Sequence, residues 1–198
     1  MKVLALDPGT VHNAWSVVEE SEGRLFVVEH GSLSASRRGR QEVVGAVEAL
    51  VIQAVERHGP DLLLVELPKG RKPSVPREVW RELQGIAHSL ASRLSSTLPV
   101  CTAFASTPRG FHDPFQPPGW RQRLTGLNRP SDLDVRRSLE GLGLGPLPRN
   151  SHELDAVGLG VAYFHFPELF QRVEEPSSRD PGPRWDALTE ELRRLWAA

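Results

Sequence analysis

The chain has 198 residues, 39% of them hydrophobic and 25% charged, enough for one folded domain that buries about 70% of the surface of its unfolded chain. That balance excludes disorder over most of its length. No run approaches the ~20 apolar residues that cross a bilayer, and the opening MKVLALDPGT lacks a signal-peptide layout, so the expectation is a soluble intracellular protein. The single Cys101 supports neither a disulfide framework nor a cysteine zinc site. Net charge is −1 but segregated: residues 69–93 carry a balance of +4, residues 109–137 one of +3 and residues 168–198 one of −2. A basic footprint of this kind matters more for nucleic acid than the total does.

Residues 3–6 read as a short apolar strand that ends at Asp7 and turns at Pro8-Gly9-Thr10. Apolar runs over 14–18 and 25–28, joined by Glu19-Glu20-Ser21-Glu22-Gly23, predict a hairpin. Residues 41–58 place Val44, Val47, Ala49, Leu50, Val51, Ala54 and Val55 at helical spacing, and Gly59-Pro60 ends the helix. Residues 61–66 then form a buried-type strand ending in Glu66. Lying after a crossover helix, it is expected to pair parallel with the first strand.

A basic loop over 69–74 leads to a helix over 76–96, with Val79, Leu83, Ile86, Leu90 and Leu94 as its apolar stripe. Trp80, Ala87 and Ala91 form a second stripe, read as a dimer surface or as the seat of a C-terminal helix. A strand over 100–105 precedes a long irregular loop over 107–129, rich in proline and containing Phe111, Phe115 and Trp120. Ser131, with Asp134 three residues on, caps a short helix to about residue 140. Asn150 or Ser151 caps a last, almost wholly apolar helix over 152–166. The chain divides into a domain over 1–166 and a linker with a peripheral helix over 167–198. The order of elements predicts an α/β fold, a mixed sheet with helices on both faces.

Ionisable groups stand where core elements should be apolar. Asp7 and Glu66 each end an apolar strand, and His152 and Asp155 share one face in the first turn of an apolar helix. If the two strands are parallel neighbours, both carboxylates open at the same end of the sheet, and the helix can add the other two groups. Carboxylates buried together are costly unless a cation compensates them. Oxygen ligands with one imidazole suit Mg²⁺ or Mn²⁺ better than zinc. Taken singly, each residue has a plain structural reading as a turn former, a strand-end ion pair or a helix-entry residue. Only a shared site accounts for all four. Glu153 points about 100° away from His152 around the helix and ranks below it as a ligand.

The runs Val3-Leu4-Ala5-Leu6-Asp7-Pro8-Gly9-Thr10, Leu62-Leu63-Leu64-Val65-Glu66 and His152-Glu153-Leu154-Asp155-Ala156 resemble, in order and separation, the catalytic segments of RuvC-type Holliday-junction resolvases in the ribonuclease-H-like superfamily. The resemblance covers about residues 2–166. It implies a five-stranded mixed sheet whose first three strands are antiparallel, a homodimer, and symmetric nicking of four-way DNA junctions with two Mg²⁺ ions per site, which Mn²⁺ can replace. Asp7 would bridge both ions, Glu66 would bind one, and His152 and Asp155 the other. In this scheme one ion activates the attacking water and the other stabilises the leaving 3′ oxygen. A branch-migration helicase is a further partner to consider.

The segment Glu66-Leu67-Pro68-Lys69 lacks the aromatic residue that the best-known members carry shortly after the glutamate. Lys69, Arg71, Lys72, Arg109, Arg121, Arg123, Arg129, Arg136 and Arg137 are the candidates for phosphate contacts. Phe111, Phe115 and Trp120 are candidates either for stacking on an unpaired base or for a small core under the loop. Other readings are a different structure-selective nuclease on the same scaffold, for flaps or RNA–DNA hybrids, and a non-catalytic junction-binding module. A sugar-kinase-like phosphotransferase fits poorly, because it needs a second domain and a second glycine-rich phosphate motif.

Overall fold

A computed structural model describes residues 1–35, 39–68, 76–107 and 117–173. Strands β1 (Lys2–Asp7), β2 (His12–Ser21) and β3 (Arg24–Ser34) form an antiparallel meander. The β2–β3 turn places Glu22 and Gly23 both at positive φ, 54° and 74°, the conformation that matches the twist of a tight hairpin. Helix α1 (Arg40–His58) ends at Gly59 in the left-handed region, whose N–H returns to the Val55 carbonyl at 2.9 Å. The crossover delivers β4 (Leu62–Leu67) parallel to β1, and α2 (Arg77–Leu94) delivers β5 (Val100–Phe104) parallel to β4. Helices α3 (Trp120–Thr125), α4 (Asp132–Gly141) and α5 (Ser151–His165) follow. A 3₁₀ turn (Pro167–Leu169) then leads into β6 (Gln171–Arg172), antiparallel to β5.

The sheet order is β3-β2-β1-β4-β5-β6. The antiparallel trio and parallel pairs match expectation, and a sixth short strand is added. Phe170 and Val173 pack on the domain beside it, so the chain stays attached to the sheet past residue 166. The peripheral helix expected near the C-terminus lies outside the described residues, as do Lys69, Arg71, Lys72, Arg109, Phe111 and Phe115.

Strand alternation divides the core. Leu4, Leu6, Leu63 and Val65 face α1 and α2, whereas Val3, Ala5, Leu62 and Leu64 face α3, α4 and α5. Asp7 and Glu66 continue the second set by parity. Helix α5 lies very close to this face: a Cβ on Gly160 would come within 2.7 Å of Val18 Cγ2. The buried Ser16 hydroxyl donates to the Ala156 carbonyl at 2.9 Å, fixing α5 along the sheet.

Two expectations are corrected. Ala87 and Ala91 are 0% and 3% exposed and belong to the core under α2, while Val79 of the expected core stripe is 39% exposed. The buried face of α2 is therefore rotated, and Trp80, Ala87 and Ala91 do not form a free stripe. The long loop, for its part, contains α3. No helix among the described residues is long and apolar enough to cross a membrane.

Candidate active site

β1 and β4 run in parallel register through Leu6 and Val65, so the next residues, Asp7 and Glu66, stand side by side at the carboxyl end of the sheet. Open α/β sheets build their sites at this end. Asn150 caps α5, its side chain accepting from the His152 N–H at 2.9 Å; this resolves the choice between Asn150 and Ser151. The cap aims the first turn of α5 at the strand ends. His152 Nδ1 lies 3.1 Å from Asp7 Oδ2, and the His12 ring stacks on the His152 ring at 5.6 Å between centroids. Asp155, one turn on, shares these surroundings. Asp7, Glu66, His152 and Asp155 thus lie near one another at this end of the sheet. Glu153 turns to the other side of α5, where it accepts from Ser32 Oγ and pairs with His30 Nδ1, both at 2.7 Å.

Two residues of the site come from α3. The Trp120 indole N–H donates to Glu66 Oε2 at 2.8 Å. The Arg121 guanidinium reaches Asp155 Oδ2 at 3.2 Å and Asp132 Oδ1 at 2.5 Å. This selects the small-core alternative for Trp120 and turns Arg121 inward. Trp120 is 0% exposed and packed in the core, so it is not a platform for a base. The Arg121 side chain is only 17% exposed and faces the carboxylates, so it does not present itself to a phosphate. Loop composition concealed both residues. The remaining described arginines lie elsewhere: Arg123 is exposed with its guanidinium 5.2 Å over the Phe166 ring, Arg136 donates to the Pro148 carbonyl, and Arg129 and Arg137 are exposed.

The electrostatics show a site with excess negative charge. Burial, followed by the nearby Asp7 and Asp155 carboxylates, raises Glu66 well above the ordinary carboxylate range. Burial is also the main cause that pushes Asp155 up to about 7; Arg121 opposes it and Asp7 adds to it. The hydrogen bond to Asp7 raises His152. Asp155 Oδ1 is buried without a hydrogen-bond partner among the described residues, a costly arrangement for a carboxylate.

Among the described residues no three His, Cys, Asp or Glu side chains already stand in a ligating cluster; Asp7, Glu66 and Asp155 are each held instead by a protein partner. The donor set still fits a hard divalent cation. It comprises three crowded carboxylates and one imidazole, with an unsatisfied carboxylate oxygen among them, and a cation would relieve both the repulsion and the orphaned atom.

No model of a protein family matches the chain. The crossover junction endodeoxyribonuclease RuvC of Roseiflexus sp. (strain RS-1) is 24% identical over 175 residues, covering 88% of this chain and 96% of the relative. That of Syntrophomonas wolfei is 20% identical over 185 residues, covering 90% and 97%. The structure of Thermus thermophilus RuvC in complex with a Holliday junction substrate superimposes with a TM-score of 0.66 at 20% identity, over 87% of this chain and 99% of that one. Over nearly its whole length the chain is thus similar to RuvC crossover junction endodeoxyribonucleases, and it shares the fold of Thermus thermophilus RuvC.

Proposed function

We propose that this chain is a crossover junction endodeoxyribonuclease that resolves four-way (Holliday) DNA junctions by metal-dependent phosphodiester hydrolysis, with Asp7, Glu66, His152 and Asp155 as its catalytic residues. The observation that carries this reading is the proximity of three carboxylates and an imidazole at the carboxyl end of a parallel strand pair, with one carboxylate oxygen buried and unpartnered among the described residues. Two Mg²⁺ ions per site, replaceable by Mn²⁺, would supply an activated water and charge stabilisation at the leaving oxygen. Asp7 lies centrally, and His152 and Asp155 approach from α5 while Glu66 approaches from β4.

The chain's own task is to hold these donors in place. Asp7 fixes the His152 ring through Nδ1, α3 holds Glu66 and Asp155, and Ser16 locks α5 against the sheet. Paired symmetric nicks require two such sites, hence a homodimer. The basic residues of segments 69–72 and 109–137 other than Arg121 would grip the junction backbone.

The test is to incubate the purified chain with a mobile four-way junction, a flap, an RNA–DNA hybrid and a linear duplex, in Mg²⁺ or in EDTA, and to map the nicks. Paired cuts at symmetric positions in opposing junction strands, sealable by ligase and absent in EDTA, are expected. Preferential cleavage of the flap or hybrid, or binding of the junction without cleavage in Mg²⁺, contradicts the reading.

A further inference from the structure

The indole N–H of Trp120 is buried and meets a carboxylate oxygen of the site, Glu66 Oε2, at 2.8 Å. The surrounding structure leaves that indole little freedom. A Cβ on Gly158 of α5 would come within 2.6 and 2.8 Å of ring atoms Cζ3 and Cη2, so the ring fills a slot that only glycine leaves open. A Cβ on Gly119, immediately before Trp120, would come within 2.4 Å of Ser106 Cα and 2.5 Å of the Ala105 carbonyl. The next residue, Arg121, donates its backbone N–H to the Ala105 carbonyl at 3.0 Å. The 1%-exposed Gln122 amide accepts from the N–H groups of Thr107 and Gly119 at 2.9 and 2.8 Å. It also donates to the carbonyls of Thr107 and Asn128 at 3.1 and 2.9 Å. The start of α3 is thus fixed to the end of β5, and its indole to α5, the helix that carries His152 and Asp155.

We propose that Trp120 is a positioning residue for the divalent cation: its indole N–H fixes the Glu66 carboxylate in the orientation that binds the ion. This rests on the reading of Glu66 as a metal ligand. An unrestrained glutamate carboxylate loses side-chain freedom when it ligates, and a fixed one has lost it already. Groups that hydrogen-bond to ligating carboxylates typically contribute 10–100-fold in metal affinity or activity. Because the indole is neutral, removing its N–H changes no charge in the site, so the effect reads as orientation.

The experiment titrates Mn²⁺ into the full-length chain without DNA, following the free ion by electron paramagnetic resonance. The proteins are the native chain, Trp120→Phe, Trp120→benzothienylalanine and Glu66→Gln. Benzothienylalanine puts sulfur in place of the N–H and keeps the ring shape, so it separates the hydrogen bond from packing if the phenylalanine variant folds poorly. Mn²⁺ binding about 10–100-fold weaker in both Trp120 variants, with kcat on a four-way junction reduced and junction affinity in EDTA unchanged, is the expected result. Native Mn²⁺ affinity and kcat in the benzothienylalanine chain, with Glu66→Gln impaired, overturns the role of Trp120 and leaves Glu66 as a ligand. Native Mn²⁺ affinity in Glu66→Gln overturns the Glu66 reading, and the proposal with it.

Discussion

Asp155 carries the main electrostatic conflict of the site. One of its oxygens is paired with Arg121 and the other is buried without a partner among the described residues, and burial holds its carboxyl near 7. Glu66 and His152 are raised as well, so all three groups bind protons more tightly in the folded chain. For the two carboxyls the excess of bound protons spans the window from their ordinary value near 4 up to the raised value. Stability must therefore fall as pH rises through that window. His152 acts with the same sign: its contribution is complete below its ordinary value and is lost as pH rises through the raised one. The thermal midpoint of the metal-free chain in EDTA should decrease between about pH 5 and pH 8, less steeply in Asp155→Asn than in the native chain. Mg²⁺ should raise the midpoint more at the upper end. Parallel profiles for the two proteins would mean that Asp155 is not the group whose proton is linked to folding.

Single residues also explain where local sequence patterns misled. The second hairpin strand reads from its apolar run as residues 25–28, yet β3 continues to Ser34, and a Cβ on Gly31 would lie 3.0 Å from the Trp15 indole nitrogen. The glycine admits a neighbouring ring and does not break the strand.

Among the elements, α4 and α5 were legible because their caps are local. Ser131 and Asp134 form a reciprocal capping box, and Asn150 accepts from the His152 N–H. Helix α3 was not legible. Its six residues follow Pro117-Pro118-Gly119, too short a span for periodicity, and what holds it is the tertiary contact of Gln122 with Thr107 and Asn128. A glutamine at the third helical position was the only local sign. Replacing Gln122 with Ala leaves the buried N–H groups of Thr107 and Gly119 without their acceptor. The change should cost about 2–4 kcal/mol, lowering the thermal midpoint by about 2–4 °C for each kcal/mol. A midpoint within a degree of the native chain would mean that α3 is held by something else. The buried face of α2 misled for a related reason: alanines at 87 and 91 permit close helix packing, and composition alone does not distinguish that from a small-residue surface.

At the scale of the whole molecule, the position of the site followed from topology. One crossover helix between two apolar strands forces parallel pairing, and parallel pairing brings Asp7 and Glu66 to the same end. The i, i+3 spacing of His152 and Asp155 supplied the rest. What the sequence left hidden was which basic residues turn inward, since an arginine in a loop looks the same whether it meets a phosphate or Asp155. Arg129 and Arg137, exposed on the surface that follows α3, remain candidates for the DNA backbone. The double change Arg129→Ala/Arg137→Ala should weaken junction binding and reduce the slope of log K against log salt by about 0.9 for each phosphate no longer neutralised. An unchanged slope would assign both residues to a solvated face.

The proposed chemistry requires the Asp7, Glu66 and Asp155 carboxylates to act together on the scissile phosphate. Single-turnover cleavage of a four-way junction by Asp7→Asn, Glu66→Gln and Asp155→Asn, at protein concentrations that saturate binding, isolates that requirement. Each isosteric variant should bind the junction with native affinity in EDTA and lose cleavage in Mg²⁺ by about a hundredfold or more, which corresponds to ~2.7 kcal/mol of transition-state stabilisation. Cleavage at close to the native rate by all three variants would refute it.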